Sequence, residues 1–124
     1  MLRGHAHVQP HHAPVDKLPF AEARFDCLVS VNTLYFWEDL AGGLNELARV
    51  ARPRARLILG FGEAQGMCRA GYADRGFKLY SIDAVVDALK NANFTLEHIE
   101  KQSRVQGEFV GLRARRTDQR NDND

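Results

Sequence analysis

The spacing of apolar positions changes several times along this chain, and each change marks a new element. From Asp26 to Val31 the sequence reads Asp-Cys-Leu-Val-Ser-Val. The run is nearly continuous rather than alternating, which predicts a strand covered on both faces with Cys27 inside. From Trp37 to Arg52 the period becomes helical: Leu40, Leu44, Leu47, Ala48 and Ala51 form one stripe. Glu38 and Asp39 suit the positive start of that helix, Arg49 and Arg52 suit its negative end, and Pro53 closes it. Arg56 to Phe61 is a second short branched run, hence a second buried strand.

Gly62 to Tyr80 has no sustained period and holds Gly66, Gly71 and Gly76, which predicts a long excursion with one short helix. Ser81 is a good N-cap, and Ile82, Val85, Val86 and Leu89 follow at helical spacing. Asn93 tolerates the left-handed geometry that ends a helix. Phe94–Lys101 and Gly107–Arg115 read as strands, the second with Val110, Leu112 and Ala114 on one face and Phe109 on the other. Their closeness predicts an antiparallel hairpin. Residues 1–17 are irregular, and 117–124 form a polar tail expected to be disordered. Strands that alternate with helices predict an α/β layer architecture, one domain over residues 1–116.

Composition narrows the function classes. A net charge of +1 offers no electrostatic footprint for nucleic acid or membrane. The N-terminus lacks the apolar core of a signal peptide, and two cysteines make no disulfide framework, so the expected compartment is the cytoplasm. His5, His7, His11 and His12 cluster, yet no Cys or carboxylate stands at ligand spacing beside them. The expectation is therefore no metal. Asp26, at the start of a strand, reads as a hydrogen-bonding residue, and Arg113, Arg115 and Arg116 as a solvated strand end.

Five pieces occur in order: Leu18-Pro19-Phe20; Phe25-Asp26 with its apolar strand; Asn32-Thr33-Leu34-Tyr35-Phe36-Trp37; Glu46-Leu47-Ala48-Arg49-Val50 with Arg52-Pro53; and Leu57-Ile58-Leu59-Gly60-Phe61. Together with Ala92-Asn93-Phe94, this arrangement resembles the C-terminal half of a class I S-adenosylmethionine-dependent methyltransferase of the type 11 kind. The resemblance implies a partial Rossmann-like methyltransferase fold: strands four to seven of a seven-strand sheet, in spatial order 4-5-7-6, with flanking helices. It implies S-adenosylmethionine as cofactor, bound at the topological switch point, and a small-molecule methyl acceptor. Val15, Asp16, Ser30, Val31 and Asn32 would line the cofactor. Tyr35, Phe36, Glu63 and Tyr72 would line the acceptor pocket, with Met67, Phe77 and Tyr80 in the loop that caps it. No catalytic residue is assigned, because transfer from an activated sulfonium depends mainly on alignment and exclusion of water.

Three departures from the family pattern carry weight. Gly4 is the sole glycine in residues 1–17, so the Gly-x-Gly cofactor loop has no counterpart there. Pro14 stands where the family commonly has an Asp, with Asp16 nearby. Pro53-Arg54-Ala55 replaces a Pro-Gly-Gly turn, placing a side chain where glycine's freedom is usual. The expectation is a truncated half-domain, inactive alone. A second reading is a non-catalytic interaction module that pairs through the exposed edge of its first strand, with a second copy or with a separate N-terminal half.

Overall fold

The computed structural model describes residues 8–104 and 107–117. Four strands and three helices follow one another as β1 (Phe25–Val31), α1 (Leu40–Val50), β2 (Ala51–Gly62), α2 (Ala64–Arg69), α3 (Ile82–Asn91), β3 (Phe94–Arg104) and β4 (Gly107–Arg116), with short 3-10 turns at Leu34–Phe36 and Ala73–Arg75. The strands form one mixed sheet in the order β1-β2-β4-β3. β1 runs parallel to β2, with Val29 opposite Ile58 and Val31 opposite Gly60. β4 lies antiparallel to both β2 and β3.

Each helix boundary has a local cause. Asp39 is the N-cap of α1 and its carboxylate accepts from the Gly42 N–H at 2.9 Å. The helix is therefore three residues shorter at its start than the hydrophobic stripe alone predicts. It passes at Val50 straight into β2, a strand that begins five residues earlier than expected and carries Pro53 within it. A register shift between Phe25 and Cys27 absorbs that proline and the turn beside it. Arg54 in this turn has φ +71°. Ser81 caps α3 through the Ala84 N–H at 3.1 Å, and Asn93 follows the helix with φ +70°, as its chemistry predicts.

The core lies on one side of the sheet. Leu57, Leu59 and Phe61 of β2 and Val110, Leu112 and Ala114 of β4 alternate toward Leu44 and Leu47 of α1 and Val85 and Leu89 of α3. Trp37 is buried against this layer, over Gly43 of α1.

β1 departs from expectation in two ways. The strand is not covered on both faces: Val29 is 64% and Val31 50% exposed. Nor is Cys27 a buried hydrophobe, for it is exposed. The reason is topological. β1 is an edge strand, α1 and α3 both pack on the core side, and no described element lies over its other face.

Candidate functional site

Because β1 and β2 are parallel, their carboxyl ends reach the same edge of the sheet. The backbone changes direction at Asn32, whose φ is +57° and whose N–H donates to the Gly60 carbonyl at 2.8 Å. Asparagine takes this left-handed geometry more readily than most residues. One turn later Tyr35 folds back, 3% exposed. Its hydroxyl donates to Asn32 Oδ1 at 3.1 Å. The same oxygen accepts from the Gly62 N–H at the end of β2. Burial raises the Tyr35 phenol above its ordinary value, more than the Gly62 hydrogen bond lowers it. Tyr35 is thus a protonated clamp between two strand ends.

Around this clamp sits a cavity of about 390 Å³. Its walls are chiefly aromatic. Phe77 stands 4.8 Å from Phe36, 4.9 Å from Tyr72 and 5.5 Å from Tyr35, ring centre to ring centre. Phe36 is 65% exposed and leans on the cavity rather than entering the core. Phe109 of β4 and Met67 of α2 complete the apolar lining, and Arg104 and Glu108 supply its charges.

The residues singled out from sequence for the site fall into four groups. Asn32, Tyr35, Phe36 and Tyr72 line the cavity. Ser30 and Val31 lie at the end of β1, with the Ser30 hydroxyl bonded to that of Thr33. Val15 and Asp16 sit apart, in a turn closed by the Lys17 N–H on the Pro14 carbonyl at 3.1 Å, with Val15 half-buried against the core and Asp16 exposed. Glu63 is occupied elsewhere: it is the N-cap of α2, its carboxylate accepting from the Gln65 and Gly66 N–H groups at 2.9 and 3.3 Å. Asp26 holds Arg52 through Nη1 at 3.0 Å. His5 and His7 lie outside the described residues, as does the tail 118–124. His11 packs edge-on against Phe20. Among the described residues no group of three or more His, Cys, Asp or Glu is placed to hold a metal.

Arg104, Glu108 and Phe109 were not assigned to a site from sequence. They reach the cavity only through the hairpin register, which sets Gln102 opposite Phe109 and Arg104 opposite Gly107. Phe109's position on the face opposite Val110 was the one available signal.

The methyltransferase domain family matches residues 1–59. The uncharacterized protein YafE of Escherichia coli strain K12 is 28% identical over 79 residues, which are 64% of this chain and 36% of that protein. The solved structure of the cyclase SpnF superposes with a TM-score of 0.81 at 14% identity, covering 94% of this chain and 60% of the other. The chain resembles the class I S-adenosylmethionine-dependent methyltransferases. The 1,6-didemethyltoxoflavin-N1-methyltransferase of Burkholderia thailandensis, solved with 1,6-didemethyltoxoflavin and S-adenosylhomocysteine bound, superposes at a TM-score of 0.69 and 22% identity over 86% of this chain and 49% of the other. The fold is therefore a mixed α/β sheet with flanking helices, similar to that of methyltransferases. A neighbour named for cyclisation shows that the fold alone does not set the reaction. The chain spans about a third of the length of the curated relative it matches. No helix among the described residues is long and apolar enough to cross a membrane, which says nothing of a β-barrel.

Proposed function

We propose that this chain is the acceptor-side half of an S-adenosylmethionine-dependent methyltransferase that acts on a small molecule. The observation that carries this reading is the aromatic cavity at the carboxyl ends of the parallel pair β1 and β2, built around the Tyr35 clamp. Ligands of open α/β sheets bind outside the carboxyl ends of the strands. The observed order β1-β2-β4-β3 is the one that strands four, five, seven and six would give, with β1 as strand four.

S-adenosylmethionine, when bound, supplies a methyl group already activated on a sulfonium. Ser30, Val31 and Asn32 would hold it. The donor set at the end of β1 fits one side of such a cofactor. Tyr35 takes Asn32 Oδ1, which fixes the carboxamide and leaves its Nδ2 without a partner among the described residues. Ser30, whose hydroxyl bonds that of Thr33, lies two positions earlier in the same strand end. Tyr35 itself stays protonated and positions Asn32 rather than taking a proton. Phe36, Tyr72 and Phe77 would keep water from the acceptor and fix its angle of approach, which is the protein's main task in this chemistry.

In this reading the described residues form one wall of the cofactor crevice. The opposite wall, with its Gly-x-Gly loop, would pack on the free edge and uncovered face of β1, where Cys27, Val29 and Val31 are exposed. The chain alone would then hold the cofactor weakly. A titration of the ¹⁵N-labelled chain with S-adenosylhomocysteine tests this. Amide shifts should concentrate at Ser30, Val31, Asn32 and Tyr35. Shifts confined to another part of the sheet, or none at the highest soluble concentration, would overturn the assignment.

A further inference from the structure

Resting on that reading of the cavity as an acceptor site, we infer that its preferred occupant is a planar aromatic or heteroaromatic molecule bearing an anionic oxygen. Planarity follows from the walls. Phe36 and Phe77 meet at 64°, and Tyr72 and Phe77 at 44°, so the rings form a splayed set of faces rather than a closed aliphatic pocket. Phe109 comes from a different element and adds a further ring to the same cavity. A flat π-system stacks on such faces, while a puckered ring of equal volume meets them only at its edges. The size is suitable, since cavities that hold drug-sized ligands start at roughly 300 Å³.

The charge preference follows from the register of the β3–β4 hairpin. Arg104 faces Gly107 across the ladder, and Gln102 faces Phe109, so Arg104, Gln102 and Phe109 project from one face of the sheet. The Arg104 guanidinium lies 4.7 Å from the centre of the Phe109 ring and donates to Gln102 Oε1 at 2.9 Å. It forms no ion pair among the described residues. Glu108, the one carboxylate of the lining, alternates to the opposite face of β4 with Val110. The face that carries Phe109 therefore presents a cation to the occupant, in a fork suited to two oxygens.

Four probes separate the features: 2-naphthoate, 2-naphthylmethanol, 2-naphthylmethylamine and cyclohexanecarboxylate. Each is titrated into the full chain and followed by amide and aromatic NMR shifts. Naphthoate should bind about tenfold more tightly than the neutral alcohol, as a charge-assisted bond to arginine allows. The amine should bind no better than the alcohol, and cyclohexanecarboxylate should bind worst. Arg104→Gln should erase the preference for naphthoate over the alcohol, and Phe36→Ala should weaken all three naphthyl probes. Both side chains are exposed, so neither change threatens folding. A preference for the amine, equal binding of the cyclohexane acid, or no binding of any probe would overturn the inference. None of these readouts involves the cofactor. Failure here with intact shifts at Ser30–Asn32 removes the acceptor class alone, whereas the reverse pattern removes the methyltransferase reading.

Discussion

Tyr35 donates its hydroxyl proton to Asn32 across 3.1 Å and, through the same oxygen, receives the amide of Gly62. One buried side chain thus fastens the end of β1 to the end of β2, where the candidate site opens. Tyr35→Phe keeps the ring and removes the clamp. Leaving the Gly62 amide and the Asn32 carboxamide without this partner should cost about 1–3 kcal/mol. Urea unfolding measures this cost, and the Asn32 and Gly62 amides should become the most accelerated in hydrogen exchange.

The same phenol gives a pH dependence. Its folded-state value lies above the ordinary 10.0 because burial disfavours the phenolate. The unfolded chain therefore loses this proton first as pH rises. Stability should be unaffected below that ordinary value and should fall above it; Tyr35→Phe should make that decline shallower and leave the share due to Tyr80, whose phenol burial also raises. Unfolding midpoints across alkaline pH provide the check.

A tie centred on a carboxylate acts at the acid end. Glu46 of α1 accepts from Arg49 Nη2 at 2.7 Å and from the Leu18 amide at 2.7 Å. The Arg49 hydrogen bond is the main cause of its lowered pKa, with the Leu18 amide helping. A carboxyl depressed in the fold contributes stability above its unfolded value and loses it as pH falls through its folded value. Acidification should release the Leu18 amide to exchange before the sheet opens. Glu46→Gln should produce the same release at neutral pH.

Glycine placement predicts opposite signs at two positions. A Cβ built on Gly43 would lie 2.5 Å from Trp37 Cε3, so Gly43→Ala must displace a buried indole. The gain in helix propensity is about 1 kcal/mol. The overpacking penalty, typically about 1–3 kcal/mol, should exceed it and lower the melting temperature. Arg54, by contrast, holds φ +71° with a side chain that disfavours it. Its carbonyl, which accepts from Arg115 Nη1 at 3.0 Å, survives substitution. Arg54→Gly should therefore stabilise, by up to about 1 kcal/mol after glycine's entropy in the unfolded chain is subtracted.

Much of the fold is legible in the residues because local and tertiary preferences agree. Ser81 is a cap by chemistry and a cap in fact, while Asp39, legible only as a charge that suits a helix start, turns out to cap α1. Val110, Leu112 and Ala114 alternate because β4 has one buried face. The reading of β1 fails for the converse reason. Its apolar run is suited to two covered faces, but the described residues cover one, so Cys27 and Val29 meet solvent. Periodicity reports what a strand can bury, not what is there to bury it. The aromatic half of the site was visible near Tyr35 because those residues are neighbours in sequence. Arg104 and Phe109 were not, since only hairpin pairing brings them to the cavity.

Exposure of Cys27 gives a direct chemical test. Both Cys27 and Cys68 are exposed and should react with a thiol reagent in the native state. If a further segment or partner packs on β1 as proposed, adding it should protect Cys27 and leave Cys68 reactive.

The sheet order also governs how this chain can be made. β4, last of the four strands in sequence, sits between β2 and β3 and joins them. A nascent chain that has emerged as far as Arg104 has its helices and three strands, yet β2 and β3 have no ladder between them. Val85 and Leu89 then lack the Val110–Ala114 layer they pack toward. The ribosome must deliver the final strand before this half of the core can close, so pauses in translation ahead of Gly107 leave the polypeptide most dependent on chaperones.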